Sequence, residues 1–171
     1  MSAPYRTRTY IAADWSTDKD AVDQLRKWND SDHWSLSFTD AHDLASSSDS
    51  SLNCSIKASL KSRMDASKTF VLIVGRNTKT VRSGSCAYCA SYRNLQCDRG
   101  RSLDFRSYIE YECAKAVDAG IKIIVLYKYT TVRKDLCPEV VKSVGIHTNM
   151  IYYENGTYYW DYESVKNAFD A

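Results

Sequence analysis

Ser107 to Tyr127, SYIEYECAKAVDAGIKIIVLY, reads as a short helix running straight into a buried strand, a junction that belongs to layered α/β folds. Ser107 followed three residues later by Glu110 forms a capping box. The serine oxygen takes a free backbone amide, and the Glu110 carboxylate reaches back to the cap amide. Ile109, Cys113, Ala116 and Val117 recur at helical spacing, so one face packs inward over about three turns, and Gly120 supplies a left-handed stop. Ile121 to Leu126 then has little polar alternation, the pattern of a strand covered on both sides. Glu112 is left without a structural job. It stands one turn after Tyr108, near the helix start, and in an α/β sheet helix starts lie at the carboxyl edge of the strands, where ligands bind.

The rest of the chain alternates in the same way. Arg8 to Ala13 is a first strand, and Thr17 or Ser16 caps a helix whose face is Val22, Leu25 and Trp28. Trp34 to Phe38 reads as a second strand, followed by a Ser- and Asp-rich loop over Ala41 to Ser51. Leu52, Ile56, Leu60 and Met64, spaced four apart, mark a helix; Thr69 to Val74 is the central strand, ending at Gly75. Cys137 to Val144 predicts a short helix with Pro138 in its first turn. Asn149 to Tyr153 is a fifth strand, before a last helix carrying Tyr162, Val165 and Phe169; alternatively Ile151 to Trp160 is a hairpin around Asn155-Gly156. This order predicts a three-layer α/β sandwich around a mostly parallel, five-stranded sheet.

Composition narrows the function. A chain of 171 residues, 44% hydrophobic and 26% charged, suits a single domain over 1–171. With 23 Lys+Arg against 21 Asp+Glu the formal charge is +2, and no basic stripe forms, which argues against nucleic-acid binding. No apolar run reaches the ~18 residues of a membrane span, and Met1 to Tyr10 lacks a signal-peptide core, so a soluble, cytoplasmic protein with reduced thiols is expected.

About thirty residues, roughly 76–106, lack periodicity and lead from the central strand back to the helix of Glu112; a loop of this length is usually functional. It should cover a site at the sheet edge. Its cysteines, Cys86, Cys89 and Cys97, invite a zinc reading. A structural site wants four ligands, though, and the fourth would have to come from Cys54, His42 or another distant residue, so no metal is assigned. Tyr88 and Tyr92 suit either stacking on a base or anchoring the loop. The three histidines lack metal-ligand spacing, and neither a serine elbow, a Walker A loop nor GxGxxG is present.

Thr69 to Val74 with Gly75-Arg76-Asn77-Thr78, then Ser107-Tyr108-Ile109-Glu110-Tyr111-Glu112-Cys113-Ala114-Lys115-Ala116 before Gly120-Ile121-Lys122-Ile123-Ile124, resemble bacterial TIR-like domains. The resemblance is greatest to the TIR-like proteins of antiphage defence, including the Thoeris system, whose TIR/flavodoxin-like fold matches the layered reading above. It implies cleavage of the nicotinamide-ribosyl bond of NAD, with NAD as substrate and no separate cofactor. The ADP-ribose part, cyclised or transferred, would become a signal nucleotide that acts on a separate effector protein. It also implies self-association through TIR–TIR contacts. The family's catalytic glutamate falls on Glu112, not Glu110. Trp15, Tyr108 and Tyr88 become candidate walls for the substrate, with Asp14, Asn77 and Thr78 beside it at the strand ends. A tryptophan is common in the family where Tyr108 stands, and Ala12-Ala13-Asp14 replaces a frequent Ser-Phe. Two rivals carry weight: a TIR-like scaffold that binds partner domains without turnover, and a nucleoside deoxyribosyltransferase of the same fold. Glu112 also has a plain reading, an ion pair with Lys115 on a wet helix face.

Overall fold

The computed structural model describes residues 5–34, 36–41 and 52–171. Strand β1 (Arg8–Ala12) leads to helix α1 (Lys19–Asp30), and helix α2 (Asn53–Asp65) leads to strand β2 (Ser67–Val74). Short strands β3 (Tyr92–Arg93) and β4 (Gln96–Cys97) lie in the long loop, before helix α3 (Tyr108–Ala119) and strand β5 (Lys122–Tyr127). Strand β6 (Ile146–Asn149), the hairpin β7 (Ile151–Glu154) and β8 (Thr157–Trp160), and helix α4 (Tyr162–Asp170) complete the order.

The main sheet is parallel, with four strands in the order β1-β2-β5-β6. Because side chains alternate along a strand, β1 and β2 feed two separate cores. Tyr10, Phe70, Leu72 and Val74 pack with Met64 of α2 and with Ile109, Cys113 and Ala116 of α3. On the other face Ile11, Val71 and Ile73 pack with Val22, Leu25 and Trp28 of α1 and with Val165 and Ala168 of α4. The three layers are as expected, and β2 and β5, buried on both faces, account for their unbroken apolar runs. Among the described residues, no helix is long and apolar enough to cross a membrane.

Three elements differ from the sequence reading. Among the described residues of the range 34–38, none is in a strand, and the main sheet has four strands, not the expected five. The Asn29 side chain takes the Phe38 amide at 2.7 Å and donates to the Phe38 carbonyl at 2.8 Å, satisfying the groups a ladder would need. All that remains is a single parallel bridge between Thr9 and Asp40. Cys137 to Val144 is not an α-helix: it holds one 3-10 turn, Glu139–Val141, separated from the preceding turn Lys134–Leu136 by extended backbone at Cys137 and Pro138; a residue before proline avoids the helical region. Finally, the predicted strand at Asn149 to Tyr153 is divided at Met150, which is fully buried, and the hairpin alternative is the one adopted. Asn155 and Gly156, with φ of 49° and 82°, make its turn. Most of the Ser-rich stretch, from His42 to Ser51, lies outside the described residues.

The long loop is organised by its ends. Lys57 of α2 is buried, and its ammonium donates to the Arg106 carbonyl at 2.8 Å and the Asp104 carbonyl at 3.2 Å, with the Asp104 carboxylate 3.5 Å away. Burial pushes the Asp104 carboxyl up, but hydrogen bonds from Arg106 and the Lys57 charge outweigh it and hold the group at about 2. The Cys86 amide donates to the Asp104 carbonyl at 2.9 Å, and the Tyr108 amide to Ser83 at 2.8 Å. Tyr92 meets Phe105 edge-on at 5.9 Å, so it anchors the loop. Where the loop leaves β2, the Asp18 carboxylate lies so close to Gly75 that a Cβ there would stand 2.2 Å from its oxygen.

Lys57→Met should lower stability by about 2–3 kcal/mol, since it leaves the Asp104 and Arg106 carbonyls without the ammonium that had satisfied them. Urea denaturation checks this; an unchanged midpoint would mean that the loop is held elsewhere.

Candidate functional site

Helix α3 begins as its sequence requires. The Ser107 hydroxyl oxygen accepts the Glu110 amide at 3.1 Å, and Gly120 closes the helix at a φ of 65°. Only half of the expected capping box forms, because the Glu110 carboxylate turns away to pair with Arg82. Two residues on, about 200° round the helix, Glu112 faces inward and is 8% exposed. The pairing with Lys115 on a wet face does not occur: the Lys115 ammonium lies 5.4 Å over the Tyr111 ring.

Glu112 lies in a cleft of about 390 Å³. The floor comes from Tyr10 and from Ala13 to Ser16 at the end of β1; one wall is Ile56, Leu60 and Arg63 of α2; the other is Tyr108 and Ile109 of α3. Val81 and Ser83 of the long loop also line the cleft.

Burial dominates the chemistry of Glu112 and lifts its carboxyl from 4.5 to about 7, against the opposing pull of a hydrogen bond from the Tyr10 hydroxyl and the charge of Arg63. Tyr10 is itself pushed well above the ordinary phenol range by burial and by the neighbouring Glu112. It therefore stays protonated and donates. A buried carboxyl that titrates near neutrality, in a cleft with an aromatic wall, has the form of a catalytic acid, base or charge-stabilising group.

Of the residues singled out from sequence, Glu112, Asp14, Trp15 and Tyr108 come together here. Asp14 is already engaged: its carboxylate accepts the Ser16 amide at 3.2 Å, the Ser16 hydroxyl at 2.7 Å and the Thr17 hydroxyl at 2.8 Å. Burial raises its carboxyl, but these bonds outweigh that and hold it below the usual range. The hydroxyls expected to cap α1 thus serve Asp14 instead, and Asp18 occupies the cap position. Trp15 is 37% exposed, with the Arg26 guanidinium 5.2 Å from its ring. Tyr108 is held from both sides: its hydroxyl donates to Asn53 at 3.2 Å, and Gly84, at a φ of 96°, packs so close that a Cβ would fall 2.6 Å from the ring.

Asn77, Thr78 and Tyr88 do not line the cleft. Thr78 is fully buried and closes the turn after β2, its hydroxyl accepting the Gly75 amide at 2.8 Å, while the Asn77 carbonyl takes the amides of Thr80 and Val81. Tyr88 ends the 3-10 turn Cys86–Tyr88 and is 72% exposed. Sequence reasoning missed Tyr10 and Arg63. Arg63 was discoverable, because it falls seven residues after Ile56 and three after Leu60, on the face that lines the cleft.

Residues 10–83 match the family described as the TIR-like domain of the Thoeris protein ThsB. The matched segment runs from β1 to the loop residue Ser83 and so contains the floor, the α2 wall and the rim of the cleft, and it ends before the helix of Glu112. No curated protein matches the chain.

The raised carboxyl has a thermodynamic consequence. Between about 4.5 and about 7 the folded protein holds a proton on Glu112 that the unfolded chain has lost, so this group's contribution to stability falls as pH rises through that window and stays low above it. Glu112→Gln should therefore be more stable than the wild type near pH 8, by up to about 3 kcal/mol, with the gain fading as the pH falls toward 4.5. Thermal unfolding across this range checks it; a variant less stable at every pH would make Glu112 a structural partner.

Proposed function

We propose that this chain, whose residues 10–83 match the TIR-like domain family of the Thoeris protein ThsB, cleaves the nicotinamide-ribosyl bond of NAD, with Glu112 as its catalytic carboxylate. The observation that carries the reading is Glu112 itself, a buried carboxyl raised to about 7 in a cleft of about 390 Å³, large enough for the nicotinamide riboside end of a dinucleotide.

The chemistry asks little more of the protein. When the C–N bond breaks, its electron pair leaves with nicotinamide, which becomes neutral, and the ribosyl carbon is left with oxocarbenium character. A fixed carboxylate close to that carbon stabilises the developing charge, most strongly where water is excluded. The Tyr10 hydrogen bond and the charge of Arg63 favour the carboxylate form. Tyr108, fixed by Asn53 and Gly84, and Trp15 form the aromatic walls. Capture of the ribosyl cation by water gives ADP-ribose; capture by a nucleophile of the same molecule gives a cyclic nucleotide, which would act on a separate effector protein. Asn77, Thr78 and Tyr88 have no part in this arrangement.

Glu112→Gln should abolish NAD consumption while the fold is kept, whereas Glu110→Gln, which loses only the exposed pair with Arg82, should retain activity at a cost below about 1 kcal/mol. Equal loss in both would remove the assignment. Nucleotides extracted from cells expressing wild type or Glu112→Gln, with and without phage challenge, should show NAD loss or a new ADP-ribose species only in the wild type. Defence intact in both with no nucleotide change would favour the scaffold reading. Because the carboxylate form is the active one, kcat/KM for NAD should rise with pH through about 7 and level off above it.

A further inference from the structure

Cys54, Cys86, Cys89 and Cys97 line one small cavity, about 10 Å³, between the first turn of α2 and the long loop. They reach it from separate pieces of chain: Cys54 from α2, Cys86 and Cys89 from the 3-10 turn and its end, Cys97 from β4. All are free thiols, with Cys86 buried and the other three half-buried.

Arg101 lines the same cavity. Its guanidinium donates to the Cys54 sulfur at 2.9 Å and to the Ser55 hydroxyl at 3.3 Å, and Cys97 is its neighbour on the same cavity. Cys54 occupies the first turn of α2, where unpaired backbone amides favour negative charge. Burial works against the anion here, yet the arginine contact outweighs it and the thiol falls below its ordinary range. A metal suits this geometry poorly. Among the described residues no group of three or more His, Cys, Asp and Glu is arranged to hold an ion, and Arg101 puts a fixed positive charge against the Cys54 sulfur. A guanidinium beside an accessible sulfur, with further thiols on the same cavity, is instead the environment of a redox-reactive cysteine.

We propose that Cys54 is a peroxide-reactive thiolate and that its oxidation closes a disulfide with Cys97. In the first step the Cys54 sulfur attacks hydrogen peroxide. An S–O bond forms, the O–O bond breaks, and the departing hydroxide takes a proton to become water, leaving a sulfenic acid. In the second step Cys97 gives up its proton and attacks that sulfur, so that an S–S bond forms, the S–O bond breaks and a second water leaves. Two thiols are oxidised by two electrons and one peroxide is reduced. The bridge would tie the first turn of α2 to β4, one residue from Asn53. Asn53 holds the Tyr108 hydroxyl at 3.2 Å and the Ser85 carbonyl at 3.0 Å, so the bridge closes beside the contact that sets the cleft wall.

The test uses the full chain, reduced, freed of reductant, exposed to equimolar hydrogen peroxide at neutral pH, then alkylated and mapped by mass spectrometry. In the reduced protein Cys54 should alkylate fastest of the six cysteines. After peroxide, a Cys54–Cys97 linked peptide should appear, and Cys97→Ser should stop at a Cys54 sulfenic acid trapped by a 1,3-dione probe. Arg101→Gln should slow Cys54 alkylation roughly three- to tenfold with circular dichroism unchanged. The proposal is overturned if Cys54 reacts no faster than Cys89, if no linked peptide joins Cys54 to Cys97, or if the reduced protein carries one zinc per chain that protects these thiols.

Discussion

One buried ammonium governs where the cleft's second wall begins. Lys57 leaves the interior face of α2 and meets the backbone at Asp104 and Arg106, immediately before the helix that carries Tyr108 and Glu112. An unpaired charge at that depth would be very costly, so the chain must bring carbonyls to it. The loop after β2 thereby returns to one fixed place, although its middle carries only a 3-10 turn and a two-residue hairpin. The position of α3 is thus set from α2 as well as from the sheet, and the two helices form opposite walls of one cleft.

Helix α3 shows how one element gives two like side chains opposite environments. Glu110 meets Arg82 at the surface, within reach of solvent and a counter-charge. Glu112 is turned into the cleft, where burial keeps its proton to about 7. In the core Glu112 meets the Tyr10 hydroxyl and the charge of Arg63; it is a local conflict between burial and charge within an otherwise consistent helix, the kind that proteins retain at working sites.

The layered core was legible in the sequence because its signals are local and redundant. Thr69 to Val74 and Ile121 to Leu126 are apolar without alternation because both faces of β2 and β5 are covered, and α3 carries its own start and stop in Ser107 and Gly120. The strand expected at Trp34 to Phe38 failed for a non-local reason. Its aromatics pack on α4, Trp34 against Tyr162 at 4.6 Å and Phe38 stacked on Phe169 at 5.6 Å, and they look like strand residues only when that partner is out of view. In the cleft, Glu112 was legible as a polar residue that the helix pattern did not explain. Arg63 was legible only through its spacing to Ile56 and Leu60, and Tyr10 was not legible, since the apolar run of β1 already accounted for it. Thr78 was drawn in by its neighbours in sequence, yet its hydroxyl is used up in closing the turn.

The contact between Asp18 and Gly75 binds two distant positions into one unit of inheritance. Any side chain at 75 would collide with the carboxylate at 18, whose nearer oxygen lies 3.6 Å from the Lys128 ammonium. Drift at one of these sites is therefore open only after the other has changed. A lineage that exchanged Gly75 for a larger residue would first have to shorten residue 18, and Lys128 would then be left to Asp20 and the Thr17 carbonyl. Across related chains, these positions should change together or not at all.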